Sequence, residues 1–346
     1  MVSAGLPWLT PLPGQARALG VAHAVLLQGA IGDGLFEAAG LLASHWLCEA
    51  DEPRPCGRCS GCSAVASGVH PDLFRLMPEA LARQLGADAT SEAGEPADGE
   101  SRSRRKPSRQ IRIDDVRAAI DWVATTSSRG RGKVVLVQPA EAMNVQSANA
   151  LLKTLEEPPR GARLLLASAR PDQLLPTVRS RCQVLRLPVP TRELADRWLS
   201  GQGVAGAEVL LAAACGRPLE AAALLGAGID AARWSALPAA LLHGQSAAVS
   251  GWSLPQVVDA LIKLCHDGMV MLVGGRPRFF GAAGLPAPAS LPALAAWQRD
   301  LAAFARRAEH PWNEGLAVEA LLLRARAAWA GDRCQPKVEV SPAWPK

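Results

Sequence analysis

The chain has 346 residues, of which 49% are hydrophobic and 20% charged, so a wholly disordered protein is excluded and two or three domains can be accommodated. The formal net charge of +5 permits contact with nucleic acid or an acidic partner without requiring either. No apolar run approaches the roughly eighteen residues of a membrane span, and the N-terminus lacks a signal-peptide pattern. We therefore expect a cytoplasmic protein with no membrane contact. Thiols stay reduced there, so the eight cysteines need an explanation other than disulfides.

The first recognisable feature is a strand, a glycine-rich turn and an amphipathic helix, which is the order of a P-loop. The apolar run Ala24–Gln28 predicts the strand. A working P-loop reads G-x-x-x-x-G-K-[ST], with a lysine for the phosphate charge and a hydroxyl for magnesium. Gly29 and Gly34 keep the spacing, but Leu35 and Phe36 occupy the lysine and hydroxyl positions. We therefore expect the turn to survive without productive ATP binding.

A cluster of cysteines follows this helix. Its members are Cys48, Cys56, Cys59 and Cys62. Four thiolates at this spacing can surround one tetrahedral zinc ion, and with no open coordination position the ion would be structural. An iron–sulfur cluster also fits four cysteines, but the tight turns expected at Gly57 and Gly61 favour zinc. His70 is not needed as a ligand and is expected to be a turn residue.

Residues 85–110 differ in composition from the rest of the first domain. They are rich in Ala, Gly and Ser, with acidic residues followed by basic ones, and they show no apolar period. This pattern predicts a disordered insertion. Its basic end could contact DNA phosphates, although a solvated run of charge is the simpler interpretation.

A second buried strand, Lys133–Val137, is predicted after a helix at residues 111–124. In a P-loop ATPase two acids follow such a strand, one for magnesium and one to activate water. Gln138 and Pro139 stand at those positions, and Glu141 lies past the end of the strand. The sequence therefore predicts no ATPase activity for this chain alone.

The middle of the chain is organised around residues 149–182. Apolar residues at helical spacing predict a helix that two consecutive prolines end, and the apolar run at 164–167 predicts a central parallel strand. The segment closes with the tripeptide Ser180-Arg181-Cys182. From spacing alone, Arg181 is a solvated arginine or half of a surface ion pair.

The remaining sequence is predicted to be helical. We expect an α/β domain over residues 1–188, with the cysteine module at 48–62 and the insertion at about 85–110. A small helical domain is expected at 189–235, a larger helical domain at 236–332 and a tail at 333–346. Apolar spacing of three and four residues supports the helices of the larger domain.

Together these motifs resemble the clamp-loader branch of the AAA+ ATPases. The P-loop remnant, the cysteine module, the block at residues 149–159 and the Ser-Arg-Cys tripeptide occur in the family's order and cover nearly the whole chain. The resemblance implies an α/β plus all-α fold class. Its parts would be a RecA-like parallel-sheet domain with an inserted zinc module, a small helical lid and a C-terminal helical collar for oligomerisation.

The resemblance also implies a function within the replicative DNA polymerase III holoenzyme. The chain would be a non-hydrolysing subunit that helps to load the sliding clamp onto primed DNA. Arg181, with Ser180 and Cys182, would form an arginine finger that acts in trans on a neighbouring ATPase subunit. The implied cofactor is structural zinc. The implied partners are the gamma/tau ATPase subunits, the delta subunit, the sliding clamp and, through the complex, primed DNA.

Two alternatives remain open from the sequence. One is an autonomous AAA+ ATPase with an unorthodox P-loop, which would show nucleotide binding by the isolated chain. The other is a zinc-containing DNA-binding protein that uses the basic residues at 102–109 without partner subunits.

Overall fold

The computed structural model describes residues 5–20, 22–86, 107–281, 284–307 and 312–331. Most of the expected insertion at 85–110 and all of the expected tail at 333–346 lie outside the described residues. The chain divides into two compact units, Met1–Leu194 and Ala195–Lys346. The finer division into lid and collar domains stays a prediction.

The first unit is built on one five-stranded, all-parallel sheet. Its strands are β1 (Ala24–Gln28), β2 (Leu73–Leu76), β3 (Lys133–Val137), β4 (Ala162–Ser168) and β5 (Gln183–Arg186). The spatial order is β2-β3-β4-β1-β5, so β4 lies at the centre. This position explains its continuous apolar sequence, because a central parallel strand is covered on both faces. The predicted α/β class is confirmed.

Strand β2 was not expected from the sequence. It has only four residues, Leu73–Leu76, and three of them are half-buried. It lies at the edge of the sheet and pairs with β3 alone. A short edge strand carrying Arg75 shows neither a continuous apolar run nor a clean alternation, which is why sequence patterns miss it.

Seven helices are described in the first unit before its last residues. They are α1 (Leu12–Ala18), α2 (Leu35–Leu47), α3 (Ser60–Ser67), α4 (Glu79–Gln84), α5 (Ile113–Val123), α6 (Val145–Glu156) and α7 (Pro176–Arg179). Helices α5 and α6 pack on one face of the sheet through a shared apolar cluster. Helix α2 packs against β1, β3 and β4. The sheet is therefore a middle layer between helices, which fixes where the loops after each strand emerge.

Helix α6 illustrates how the sequence sets local structure. The Asn144 side chain accepts a hydrogen bond from the Ser147 N–H at 2.9 Å and so caps the first turn. The helix ends at Glu156, just before Pro158 and Pro159, as predicted. Leu151 and Leu155 are fully buried on the sheet side. This leaves Glu156 at the outer end of the helix.

The second unit is helical throughout its described part. Its helices are α8 (Arg192–Gly201), α9 (Ala207–Ala213), α10 (Pro218–Gly226), α11 (Ala231–Leu242), α12 (Leu254–Leu272), α13 (Leu291–Ala305) and α14 (Glu314–Ala330). One apolar cluster centres on α8 to α10, and a larger one joins α11 to α14. In the described ranges no single helix meets the length and hydropathy needed to cross a membrane, and only the bent pair α9 and α10 does so jointly.

Candidate functional site

The P-loop remnant follows β1 at the carboxyl edge of the sheet. Gly34 has a φ of 93°, a left-handed conformation that favours glycine, and it starts helix α2. A Cβ at Gly29 would lie 2.4 Å from the Cβ of Leu187, so only glycine fits this close approach. The glycines thus keep their structural roles in the turn.

The loop is closed by its own hydrogen bonds. The N–H of Asp33 donates to the carbonyl of Ala30 at 3.1 Å, and that of Gly34 donates to Ile31 at 3.0 Å. In a working P-loop such amides point at phosphate oxygens instead. Leu35, at the lysine position, is completely buried. The loop therefore offers an apolar side chain and amides already bonded inside the loop.

The neighbouring strand ends also lack the acids of an ATPase. Gln138 directly follows β3, and its backbone N–H donates to the carbonyl of Leu76 at 2.9 Å. The Glu141 carboxylate accepts from the Ala169 N–H at 3.2 Å, so it fastens the loop after β4. The Ser168 hydroxyl accepts from the Arg170 N–H at 3.2 Å. Glu141 and Ser168 thus make local structural bonds at the edge where a nucleotide would bind.

Arg181 lies in the turn between α7 and β5, at the amino edge of the sheet. Its side chain is 33% exposed. Its Nε donates to Glu156 at 2.5 Å, and its Nη1 donates to the carbonyl of Thr177 at 2.9 Å and the hydroxyl of Ser180 at 3.3 Å. Its Nη2 also contacts Glu156. Of the five guanidinium N–H groups, these contacts leave one N–H of Nη2 uncommitted among the described residues.

Glu156 is the residue near Arg181 that sequence reasoning missed. It belongs to the Leu-Glu-Glu-Pro-Pro segment that ends α6, and its side chain is 48% exposed. An acid at a helix end, followed later by an exposed arginine, was a signal for an ion pair. The partner could not be chosen from sequence, because Glu156 and Glu157 are equally plausible until the helix is placed.

The four cysteines converge as predicted. Helix α2 ends at Leu47, directly before Cys48, and Cys59 is the N-cap residue of α3. The sulfurs of Cys48, Cys56, Cys59 and Cys62 all lie within 4.8 Å of one another. Those of Cys48 and Cys59 are 3.9 Å apart. The cluster can therefore hold a metal ion.

Backbone amides surround the sulfurs. The N–H groups of Cys56, Cys59 and Cys62 donate to the sulfurs of Cys48, Cys56 and Cys59 at 3.3–3.4 Å. Burial works to raise the pKa of Cys59, but hydrogen bonds from the backbone N–H groups of Cys62 and Glu49 lower that pKa to about 6. Backbone hydrogen bonds also lower the pKa of Cys56, whereas burial raises that of Cys62. Such amide donors favour thiolates, the form that binds metals.

The glycines of this module have different roles. Gly57 adopts a φ of 71°, so it makes the expected turn. Gly61 instead lies inside helix α3, and the expectation of a second turn there is wrong. A Cβ at Gly61 would lie 2.8 Å from the carbonyl oxygen of Leu47. Glycine is needed there because α3 approaches the end of α2 closely.

A polar network braces the module against the loop before β3. The Glu49 carboxylate accepts from the Ser60 hydroxyl at 2.9 Å and from Nη1 of Arg129 at 2.5 Å. Nη2 of Arg131 donates to the Glu49 carbonyl at 2.6 Å. The hydrogen bond from Arg129 is the main cause that lowers the pKa of Glu49. The loop at 127–132 and the cysteine module thus support each other.

Asp72 fixes the loop at 127–132 through hydrogen bonds to its carboxylate. Its buried carboxylate accepts from the N–H groups of Ser128 and Arg129 at 2.7 and 2.9 Å and from the Ser127 hydroxyl at 3.0 Å. His70 accepts from the Asp72 N–H at 3.0 Å. His70 is therefore a turn residue, as expected from the sequence, and lies outside the cysteine cluster.

Comparison with known proteins identifies the relatives of this chain. The family model described as "DNA polymerase III, delta subunit" matches residues 9–191. "DNA polymerase III subunit delta'" of Pseudomonas aeruginosa is 40% identical over 217 residues, which cover 60% of this chain and 57% of that protein. The protein of the same description from Escherichia coli is 32% identical over 285 residues, covering 76% of this chain and 77% of that protein.

A second group of relatives carries another subunit name. "DNA polymerase III subunit tau" of Escherichia coli is 34% identical over 161 residues, covering 46% of this chain and 20% of that protein. The matched region is thus a small part of the tau protein, whereas the matches to these two delta' proteins extend over more than half of each.

Proposed function

The chain belongs to the DNA polymerase III delta-subunit family, with delta-prime subunits among its relatives, and on that premise we propose that it is a non-hydrolysing subunit of a clamp-loading ring. Its partners would be the gamma/tau ATPase subunits and the delta subunit. The assembled ring would place a sliding clamp on primed DNA. The chain itself would carry out no nucleotidyl transfer and no ATP hydrolysis.

The observation that carries the proposal is the contrast between the two edges of the sheet. At the carboxyl edge, Leu35 is buried where a lysine would neutralise phosphate, and the loop amides bond internally. At the amino edge, the charged side chain of Arg181 reaches the surface. A chain with a partly exposed arginine and a closed nucleotide loop suits a subunit that completes a neighbour's ATP site.

Arg181 would act in trans on the γ-phosphate of ATP bound to the adjacent subunit. A guanidinium group can donate two parallel hydrogen bonds to phosphate oxygens and offset charge that develops during phosphoryl transfer. In the isolated chain Glu156 holds two of its nitrogens. A bidentate contact with phosphate therefore requires exchange of Glu156 for the nucleotide. An exposed ion pair contributes only up to about 1 kcal/mol, so a contact with the nucleotide can replace the contact with Glu156 when two subunits close.

The metal that best suits the cysteine cluster is zinc. Four thiolates with tetrahedral Zn–S bonds of about 2.3 Å have sulfurs about 3.8 Å apart, and the sulfurs of Cys48 and Cys59 are 3.9 Å apart. When bound, zinc would stabilise the turn structure between α2 and α3. The residues of this chain would hold the four thiolates in place through the backbone N–H donors.

The test separates the proposal from an autonomous ATPase. The isolated chain should not hydrolyse ATP. Addition of the chain to the ATPase subunits should raise clamp- and DNA-stimulated hydrolysis, and the gain should depend on Arg181. Hydrolysis by the isolated chain would refute the non-hydrolysing assignment.

A further inference from the structure

A polar cavity of about 500 Å³ lies at the amino edge of the sheet, beside the cysteine module. Four arginines line it, from four different parts of the first unit: Arg17, Arg54, Arg131 and Arg163. The cavity is separate from the P-loop remnant, because the glycine-rich loop follows the carboxyl end of β1 whereas Arg163 is the second residue of β4. It also has no residue in common with the surroundings of Arg181.

Arg163 is the unusual member of this group. It is half-buried, and its guanidinium lies over the ring of Trp46 at 5.2 Å. No carboxylate among the described residues lies within ion-pair distance of Arg163, and none of those residues accepts a hydrogen bond from it. Burial and the nearby charge of Arg54 both lower the pKa of Arg163. A partly desolvated cation beside another cation is costly unless an anion compensates it.

The other three arginines form ion pairs only with carboxylates at the rim, and Arg54 and Arg131 also donate to the backbone carbonyls of Ala50 and Glu49 at 2.6 Å. Arg17 pairs with Glu52 at 2.7 Å, while Arg54 and Arg131 share Asp51 at 3.8 and 3.6 Å. Asp51 is fully exposed and the side chain of Glu52 is 65% exposed, so solvent screens both carboxylates.

His45 adds no fixed charge to the cavity, because burial, with the neighbouring arginines, lowers its pKa. Four arginine charges against two carboxylate charges leave a net charge of +2 around the cavity.

From these observations we propose that the cavity binds the phosphate groups of a small phosphate-bearing molecule, with Arg163 as its central contact. A phosphate dianion matches the excess charge, and the guanidinium fork matches the spacing of two phosphate oxygens. The volume lies in the range typical of small-molecule sites. A concave pocket of this volume favours a small anion over an extended nucleic acid backbone, which needs a continuous basic groove.

The experiment is calorimetric titration of the full-length, zinc-loaded chain with inorganic phosphate, pyrophosphate and a nucleoside triphosphate. Saturable binding of at least one is expected. Pyrophosphate and the triphosphate binding equally would show that phosphate groups alone are recognised, and tighter binding of the triphosphate would show that the nucleoside is read as well. A single-stranded oligonucleotide serves as the competing ligand class.

Arg163→Met should weaken binding on the order of tenfold or more, because it removes a charge-assisted, bidentate contact. Arg160→Met is the matched control, since Arg160 is an exposed arginine in the same unit and should leave affinity unchanged. If Arg163→Met does not fold, Arg17→Gln, on the surface helix α1, should also weaken binding. The proposal is overturned if no small phosphate binds, if Arg163→Met and Arg17→Gln bind as tightly as wild type, or if only the oligonucleotide binds.

Discussion

Asp72 allows a stability prediction to be worked out from individual hydrogen bonds. Its carboxylate accepts three hydrogen bonds from the loop that braces the cysteine module. Asp72→Asn keeps the shape of the side chain but leaves it only one acceptor oxygen. The new NH2 group then faces at least one of the loop's N–H or O–H donors. Loss of charge on two retained bonds costs about 1 kcal/mol each, and the opposed donor costs about 1–3 kcal/mol. We expect the first unit to lose about 3–5 kcal/mol of unfolding free energy.

The same substitution should act on the cysteine module. The loop carries Arg129 and Arg131, whose side chains bond to Glu49 next to Cys48. If the loop loosens, a chromophoric chelator should withdraw zinc faster from Asp72→Asn than from wild type. Denaturant unfolding and chelator-monitored zinc release are the two assays. Asp121→Asn is the control, because Asp121 is an exposed acid on α5 and its loss should change stability by less than about 0.5 kcal/mol.

The stabilisation that the Asp72 carboxylate provides should also depend on pH. Burial works to raise the pKa of Asp72, but the N–H groups of Ser128 and Arg129 and the Ser127 hydroxyl outweigh it and lower the pKa. The folded pKa of Asp72 lies below its unfolded value of about 3.9, so the stabilisation that the carboxylate provides is complete at pH values above about 3.9. It is lost as the pH falls through the folded pKa. A difference between Asp72→Asn and wild type no larger than that of the control at neutral pH would refute this reasoning.

Three further predictions concern the metal, the closed loop and the arginine. Protein purified without chelators should contain about one zinc per chain, and Cys62→Ser should lower this content as measured by elemental analysis. Full-length wild-type protein without zinc would contradict the assignment of a zinc site. Leu35→Lys should not create ATPase activity, since Gln138 and Pro139 rather than acids follow β3 directly. The substitution should destabilise the unit by about 2–5 kcal/mol in denaturant unfolding, because it places a charge at a buried site. Glu156→Ala should free Arg181 and raise the hydrolysis rate of the assembled loader at limiting ATP by up to about fivefold, the equivalent of about 1 kcal/mol. A fall in that rate would mean that Glu156 orients the arginine.

The strands with strong apolar runs were predictable, and the edges of the fold were not. Ala24–Gln28 and Lys133–Val137 have the bounds expected from their sequences, because burial on both faces leaves a continuous signal. Strand β2 lies at the sheet edge, where half-burial permits mixed residues. The helix α6 was likewise set by its apolar spacing and by its following prolines.

The candidate sites show the same division between local and long-range information. The cysteine cluster was readable because its four ligands lie within fifteen residues of sequence, 48–62, and its convergence follows from that spacing. The contact of Arg181 with Glu156 joins residues 25 apart, and the arginine cavity joins residues between 16 and 163. Such groupings depend on strand order and on which face of the sheet each residue occupies. A one-residue pattern shift in β4 would move Arg163 to the other face.

The most direct test of the account is ATP hydrolysis by the reconstituted clamp loader with wild-type chain and with Arg181→Ala. Complex formation should be verified by size-exclusion chromatography, and Arg160→Ala should serve as the matched exposed control. In the assembled loader, we expect hydrolysis at the site that Arg181 completes to slow on the order of a thousandfold, as for other arginine fingers, while the complex still forms. An unchanged rate in an intact complex would contradict the account, because Arg181 would then be only a surface residue.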